Sequence, residues 1–305
     1  MPSTSQLPSE IIDAPRVRRL FASPERVAAS GFLRREISSR MQERLDLVAL
    51  TPQAVLDAGC GEGDDLSVLQ RRYQGAQMIC VDASSAMLAA ASASHDKAKS
   101  ALKRLIGKWL PAKDSAGPHL LCSDIADIPL PNNAVDLLWS NLALHWHPQP
   151  QAVFAEWRRV LRVDGLMMFT CFGPDTFKEL RQAFAAVDDH AHVLPFIDMH
   201  DFGDMLLDAG FSTPVMDMEM ITVTYDSVDA LISDARAFGG NPLLVRSRGL
   251  LGRKRGERVR QALEAMRRAD GKIPLSFEVI YGHAFKPAPT MTEQGEAIMR
   301  FMPRK

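Results

Sequence analysis

Short apolar runs alternate with segments of helical periodicity along most of the chain. The runs are four to six residues long, as is typical of strands buried on both faces of a sheet, and they cover residues 53–58, 78–81, 120–123, 135–140 and 166–171. Between them, apolar residues such as Leu66, Leu69 and Tyr73 recur at helical spacing. This alternation predicts an α/β fold with a doubly wound parallel sheet.

The second half of the chain adds elements of another kind. Asp164-Gly165 is predicted to form the turn into the fifth strand, and a helix over 201–209 is predicted to end at Gly210. Strands over 219–225 and 277–285 are rich in aromatic and β-branched residues. They enclose about fifty residues that look helical and basic. Such an insertion is where we expect a substrate lobe.

The first strand runs into a glycine-rich loop that predicts a nucleoside-cofactor site. Residues 55–63 read VLDAGCGEG, and Asp82 ends the next apolar run, 19 residues beyond Gly63. A carboxylate at about this spacing binds ribose hydroxyls in dinucleotide folds. Asp64 and Asp65 would repel a diphosphate at the helix N-terminus, so S-adenosylmethionine (SAM) is favoured over NAD. The alternative is that the glycines only form a turn and Asp82 only caps a helix.

Ligands of an open parallel sheet bind beyond the carboxyl ends of its strands, so the residues there are the candidates. Asp124 is predicted to accept a hydrogen bond from the adenine amino group while Ile125 packs on the ring; the alternative is that Asp124 is a plain helix cap. Asn141 and Leu142 are predicted to lie under the methionine end of the cofactor. The predicted cofactor-binding residues are Asp57, Gly59, Gly61, Gly63, Asp82, Ala83, Met87, Asp124, Ile125, Asn141 and Leu142. Valine at Gly59 or Gly61 is expected to block SAM while folding largely survives.

Composition narrows the function classes. The 305 residues are 46% hydrophobic, with a formal net charge of −1 and a pI of about 6.7, so there is no global electrostatic case for binding nucleic acid. The four cysteines fall in or beside predicted strands, which suits reduced thiols. Neither a membrane-length apolar run nor a signal sequence is evident, so a soluble cytoplasmic protein is expected. The histidines lack a metal-ligand pattern, so no metal is expected.

The chain resembles the class I SAM-dependent methyltransferases, and over almost its whole length it resembles the biotin-pathway malonyl-acyl-carrier-protein O-methyltransferases (BioC). The resemblance rests on VLDAGCGEG at 55–63, DLLWSNLALHW at 136–146, FAEWRRVLRVDGLMMFTCFGPDTFKELR at 154–181, FIDMHDFGDMLLDAGF at 196–211 and GKIPLSFEVIYGHAFKP at 271–287. It implies a Rossmann-like seven-stranded sheet with an N-terminal helical segment and a helical insertion before the last strand. The expected divisions are a tail and helical cover at 1–45, a SAM-binding core at 46–225, a basic insertion at 226–276, and a last strand with a C-terminal tail at 277–305.

The resemblance implies methylation of the free carboxylate of malonyl-acyl carrier protein or malonyl-CoA, early in pimeloyl and biotin synthesis. That carboxylate is ionised at neutral pH, so no general base is required, but a cation must hold it. Arg35 and Arg181 are the candidate cations, with His145 and Trp146 as further candidate catalytic residues; all four could instead be structural. An acidic carrier protein could dock on a basic patch, which we define as Arg246, Arg248, Arg253, Lys254, Arg255, Arg258 and Arg260.

Two other functions stay open at this point. The same blocks are similar to a mitochondrial complex I assembly factor that hydroxylates arginine on a methyltransferase fold, and its N-terminal segment also looks like residues 32–37. A SAM-binding protein without catalysis is the third possibility. The family often has a tyrosine near its start that covers the cofactor, whereas the nearest aromatic residues here are Phe21 and Phe32.

Overall fold

Seven strands form one sheet in the order β3-β2-β1-β4-β5-β7-β6. The computed structural model describes residues 12–106, 117–246 and 252–289, with the side chains of 98–106 left out. The strands are β1 (Ala54–Ala58), β2 (Gln77–Asp82), β3 (His119–Cys122), β4 (Val135–Asn141), β5 (Leu161–Phe172), β6 (Ser212–Tyr225) and β7 (Ile273–Phe285).

The first five strands are parallel, whereas β7 runs antiparallel to both β5 and β6. The carboxyl ends of β1 to β4 therefore meet at one edge of the sheet, next to the point where the strand order reverses between β1 and β4. This is the seven-stranded, Rossmann-like class I methyltransferase fold that the sequence predicts. Among the seven strands of the described residues, β7 alone runs against the others, since β6 is antiparallel to β7 and so has the direction of β5.

Helices cover both faces of the sheet and the edge at which the parallel strands end. They are α1 (Ala14–Leu20), α2 (Pro24–Ala28), α3 (Gly31–Leu45), α4 (Leu66–Arg72), α5 (Ser85–Ile106), α6 (Pro150–Val160), α7 (Lys178–Ala185), α8 (Met199–Asp208), α9 (Val228–Ala237) and α10 (Arg253–Glu264). Alternate residues of each central strand enter opposite cores: Trp139 packs on the face that α3 covers, and Leu138 on the face that α6 covers. Within the described residues, no helix is long and apolar enough to cross a bilayer.

Several strands extend beyond their predicted bounds. β5 begins at Leu161, so the predicted turn at 164–165 lies inside the strand: Asp164 has φ +63° and its N–H donates to Lys286 O at 2.8 Å. The register of β4 against β5 shifts at the same place, as in a β-bulge. β6 and β7 pair along almost their full lengths, and the predicted insertion between them contains α9 and α10.

Candidate functional site

The loop after β1 is shaped by backbone hydrogen bonds to the neighbouring strand. The N–H groups of Gly59 and Cys60 both donate to Val81 O, at 2.8 and 3.0 Å. Asp82 Oδ2 accepts from Gly61 N at 2.9 Å, and its Oδ1 accepts from Ser84 N at 2.8 Å. Asp82 therefore both holds the glycine loop and caps the turn into α5, and each of its oxygens retains capacity for a further donor.

A cavity opens directly beyond this loop, at the carboxyl ends of β1, β2 and β4. The empty space amounts to about 1090 Å³ when the open mouth is counted. The walls combine apolar side chains, such as Met87, Ile125 and Leu142, with the polar residues of the glycine loop and the strand ends. The cavity therefore offers both ring-packing surface and directed hydrogen-bond acceptors.

The cavity lining is rich in carboxylates: Asp57, Glu62, Asp64, Asp65, Asp82 and Asp124. Asp57 is buried, and its Oδ2 has no hydrogen-bond partner within the described part of the chain. Burial, with nearby acidic groups, raises the pKa of Asp57 well above its usual value. A buried, unpaired acceptor of this kind favours a ligand that brings a cationic or N–H group to it.

Just after β3, Asp124 is hydrogen-bonded to His147, which is hydrogen-bonded in turn to Gln149. His147 Nδ1 accepts from Gln149 N at 3.0 Å, so its Nε2 carries the proton that it donates to Asp124 Oδ1 at 3.2 Å. That hydrogen bond is the main reason that the pKa of Asp124 falls to about 2. Arg18 Nη2 lies 3.6 Å from the other carboxylate oxygen. Asp124 is thus ionised and remains available as an acceptor facing the cavity.

The N-terminal helices α1 to α3, residues 12–45, form a cover over the cavity. Ala14, Val17, Arg18 and Phe21 all line it, and their spacing of three, one and three residues places them on one face of α1. The Phe21 ring meets the Trp146 ring edge-on with centroids 5.4 Å apart. The cover therefore closes one side of the cavity with apolar groups and one arginine.

Arg34 of α3 ties the cover to the glycine loop. Its Nη1 donates to Val27 O at 2.9 Å and to Ser30 Oγ at 2.7 Å. Its Nη2 donates to Glu62 Oε1 at 2.8 Å and to Asp64 Oδ2 at 3.3 Å. Burial and the neighbouring Asp64 raise the pKa of Glu62, and the partly buried guanidinium of Arg34 offsets part of that rise.

Most predicted cofactor-binding residues lie where the sequence analysis expects them. Gly63 is the exception, because it faces α5 rather than the cavity, and a Cβ there would lie 3.1 Å from Ala91 Cβ. The predicted residues that line the cavity are Asp57, Gly59, Gly61, Asp82, Ala83, Met87, Asp124, Ile125, Asn141 and Leu142. Their contacts with a cofactor stay a prediction.

The two aromatic candidates for catalysis, His145 and Trp146, lie in different surroundings. Trp146 lines the cavity, whereas His145 is buried behind it, with Phe172 and Phe196 as ring neighbours at 4.8 and 5.6 Å. His145 Nδ1 accepts from Phe172 N at 3.4 Å, and burial lowers the pKa of His145 to about 3. The imidazole is therefore neutral at physiological pH and packs as an aromatic ring.

Neither candidate arginine lines the cavity. Arg35 is exposed on α3, adjacent to the inward-facing Arg34. Arg181 is partly buried and donates through Nη2 to the carbonyl oxygens of Pro174 and Thr176, so its guanidinium is engaged with the loop before α7. A substrate-binding role for either one stays a prediction.

Several cavity residues were missed by sequence reasoning: Arg18, Arg34, Glu62, Asp64, His147 and the apolar face of α1. Helical spacing of Ala14, Val17, Arg18 and Phe21 is a signal that could have identified that face, and the acidic residues of the glycine loop were noted only as repelling a diphosphate. Arg34 is indistinguishable from Arg35 until the rotation of α3 is known.

These residues fit S-adenosylmethionine. Its ammonium and sulfonium groups are cationic, which matches the carboxylate-rich lining and the unpaired Asp57 oxygen. Asp57 and Asp82 offer acceptors for its ammonium and ribose groups, Asp124 an acceptor for an adenine amino group, and Ile125 with Met87 an apolar surface for a ring. A dinucleotide would bring phosphates to the same acidic lining and fits less well.

Comparisons with known proteins agree with this site. A family model described as "Methyltransferase domain" matches residues 56–169. Malonyl-[acyl-carrier protein] O-methyltransferase from Laribacter hongkongensis is 45% identical over 301 residues, covering 95% of this chain and 96% of that protein. The protein of the same name from Gallionella capsiferriformans is 42% identical, covering 95% of this chain and 97% of its own length.

Solved structures support the fold. The YcgJ protein of Bacillus subtilis superposes with a TM-score of 0.55 at 14% identity, covering 86% of this chain and 99% of its own. Protein BH2331 of Bacillus halodurans superposes with a TM-score of 0.57 at 15% identity, covering 82% of this chain and all of its own. At such identities the likeness concerns architecture alone, so the relatives of similar sequence must carry any functional assignment.

Proposed function

The chain belongs to the malonyl-[acyl-carrier protein] O-methyltransferase family, and from that premise we propose that it converts the free carboxylate of malonyl-acyl carrier protein into its methyl ester. Its cofactor is S-adenosylmethionine. The observation that carries the proposal is the 45% identity extending over 95% of the chain, which includes the cover and the insertion as well as the core. Masking the carboxylate as an ester would start the pimeloyl chain of biotin.

The site suits a reaction that needs positioning more than proton transfer. Bound S-adenosylmethionine supplies an electrophilic methyl group on sulfur. A malonyl carboxylate is ionised at neutral pH and needs no general base, in keeping with a cavity whose one lining histidine, among the described residues, is committed to Asp124. The chain's contribution is to orient both groups and to exclude water beneath Phe21 and Trp146.

The alternative functions are not favoured by the comparisons. The relatives of similar sequence reported above carry the methyltransferase name, and none of those names mentions arginine hydroxylation.

All four cysteines are free thiols, and Cys122 is exposed. Free thiols support the proposal that the protein works in a reducing compartment such as the cytoplasm.

The defining test is ester formation. Purified protein is incubated with S-adenosylmethionine and malonyl-acyl carrier protein, and the intact carrier is weighed by mass spectrometry. We expect a gain of one CH₂ per carrier, and none with Gly61→Val. No gain with S-adenosylmethionine binding intact would refute the proposal; oxygen added to an arginine peptide instead would establish the hydroxylase.

Carrier docking on the basic patch belongs to the same proposal. Five of its residues are exposed on α10: Arg253, Lys254, Arg255, Arg258 and Arg260. Arg260 pairs with Asp229 at 2.6 Å, and Arg255 lies 4.0 Å from Asp188. Arg246 instead pairs with Asp13 in a partly buried position, and Arg248 lies outside the described residues. We propose that α10 attracts the acidic carrier.

Reversing two charges on α10 tests the docking. Arg253→Glu with Lys254→Glu should raise KM for malonyl-acyl carrier protein more than for malonyl-CoA, and the effect should shrink at high salt. Arg71→Glu with Lys97→Glu is the matched control, because both residues are exposed on other helices. Equal changes in KM for the two substrates, or equal effects of the control pair, would rule out carrier docking on α10.

A further inference from the structure

The acidic lining of the cavity poses a problem for an anionic acceptor. Six carboxylates line it, but only two arginines do so within the described residues, Arg18 and Arg34. A malonyl carboxylate approaching the cavity is repelled by these carboxylates and needs one of the two arginines as a partner. Arginine suits this task because its planar fork pairs a carboxylate through two hydrogen bonds.

The guanidinium of Arg34 is already occupied by hydrogen bonds within the protein. Its two terminal nitrogens donate to four acceptors, at 2.7 to 3.3 Å, which lie on the cover and on the glycine loop. Its side chain is 18% exposed. Recruiting this guanidinium would leave Glu62 and Asp64 without their counter-ion beside the cofactor site, at a large cost in free energy.

Arg18 is differently placed. Its side chain is 60% exposed, and its ion pair with Asp124 is 3.6 Å long, beyond ordinary hydrogen-bond distance. Asp124 would keep its donors His147 and Ala126 N, at 3.2 and 3.0 Å, if Arg18 moved away. An exposed ion pair of this kind contributes little to stability, so releasing Arg18 costs little.

The other arginines of α1 do not compete for this role. Arg16 Nε donates to Asn241 O at 2.8 Å and so fastens the helix to the segment before α10. Arg19 is exposed and does not line the cavity. Arg18 alone among the three lies on the helix face that carries Val17 and Phe21 into the cavity wall.

We propose that Arg18 binds the carboxylate of the malonyl group and holds it at the cavity mouth for methylation. The inference rests on the proposed function and adds to it the residue that recognises the acceptor's charge. It also assigns α1 a second task, since the helix that covers the cavity then selects the substrate.

The test compares carriers that differ only in the acceptor charge. Binding of malonyl- and malonamoyl-acyl carrier protein to the protein saturated with S-adenosylhomocysteine is measured by calorimetry for wild type, Arg18→Gln, Arg18→Lys and the control Arg19→Gln. Because the carrier contacts are common to both probes, the ratio of the two dissociation constants isolates recognition of the carboxylate.

We expect the wild type and Arg19→Gln to prefer the malonyl carrier by about ten- to a hundredfold, as for a hydrogen-bonded charge. Arg18→Gln should bring the ratio near one, Arg18→Lys should restore part of it, and any change in affinity for S-adenosylhomocysteine should be smaller than the change in the ratio. An unchanged ratio in Arg18→Gln, no preference in the wild type, or an equal loss of S-adenosylhomocysteine affinity would overturn the inference. Arg18-dependent preference without ester formation would instead refute the proposed function alone.

Discussion

Two glycines of the same loop differ in what a side chain would meet. A Cβ at Gly59 would lie 2.2 Å from Ala143 Cβ, whereas nothing lies within 4 Å of a Cβ at Gly61. Both have positive φ, at +80° and +54°. At Gly59 the geometry therefore argues against the sequence-based expectation that valine at either position largely spares folding, because the side chain would collide with Ala143, just after β4, whether or not a ligand is bound.

Gly61→Val is consequently the cleaner probe of the cofactor site. We expect it to lose SAM affinity at least tenfold by calorimetry while unfolding at a moderately lower temperature, because a non-glycine residue at positive φ costs about 1–2 kcal/mol. Gly59→Val should unfold far more readily, in circular dichroism, than Gly61→Val. Undiminished SAM affinity in Gly61→Val would mean that the loop does not approach the cofactor.

We expect Asp57→Asn to weaken SAM binding and to stabilise the ligand-free protein. Burial and neighbouring acids raise the pKa of Asp57, so its ionised form destabilises the ligand-free fold at neutral pH. The folded state binds this proton more tightly than the unfolded chain, so wild-type stability relative to Asp57→Asn should decline as pH rises above about 4, the unfolded value, and level off above the folded pKa. Thermal unfolding across pH, with and without SAM, measures both effects.

The expected pattern is a higher melting temperature for ligand-free Asp57→Asn at pH 7 and a smaller shift on adding SAM. If the variant melted lower at pH 7 and bound SAM like the wild type, the Asp57 carboxylate would be a structural group and its unpaired oxygen would not face the ligand.

At the scale of elements, periodicity located the strands, but it placed the ends of β1 to β4 better than those of β5 and β6. β1 to β4 agree with the sequence to within one or two residues. β1, β2 and β4 are almost wholly buried, so their apolar runs stand out from the residues around them, whereas β3 is exposed or half-buried along its length. β6 extends seven residues before its predicted start at 219, since an edge strand alternates exposed and half-buried residues and its apolar signal is weak. β5 absorbs Asp164 through a bulge that no local motif announces.

The rotation of α3 decides which of two adjacent arginines acts on the site. Arg34→Gln should weaken SAM binding several-fold, because it removes the donor shared by Glu62 and Asp64 and releases the cover from the loop. Arg35→Gln should leave SAM affinity and KM for the malonyl carrier unchanged, because Arg35 is exposed outside the cavity lining. Calorimetry and steady-state kinetics on both variants separate the two residues.

The opposite result would be informative. A raised KM in Arg35→Gln with unchanged SAM affinity would make Arg35 the substrate cation that the sequence analysis predicted. Helical periodicity could not settle this question, because adjacent residues point about 100° apart and both are charged.

At the scale of the whole molecule, the sequence predicted the architecture and most of the cofactor site, because a glycine loop and acidic strand ends are local signals. It could not predict how distant segments assemble over them. The start of the cover is held in part by contacts with residues more than two hundred positions away, such as Arg16 with Asn241 and Asp13 with Arg246. Helical spacing can mark the face of α1 that carries Arg18, but it does not show that this face lies over the cavity.

This long-range attachment should control how the cavity opens. Arg246 Nη1 donates to Asp13 Oδ2 at 3.2 Å and to Leu243 O at 2.6 Å, while Asp13 N donates to Pro242 O at 2.9 Å. Arg246→Gln should therefore loosen the start of α1 without disturbing the sheet, giving faster hydrogen exchange in residues 13–21 and faster dissociation of SAM.

Arg268→Gln is the matched control, since Arg268 is an exposed arginine of the same insertion. Exchange in β1 and β4 should stay at wild-type rates in both variants, because their hydrogen bonds lie within the buried sheet. Adding SAM should slow exchange in α1 of the wild type, since a ligand beneath the cover stabilises its closed form. If Arg246→Gln exchanged like Arg268→Gln throughout residues 13–21, the segment before α10 would not restrain the cover, and access to the cavity would depend on the contacts of Arg34 and Phe21 instead.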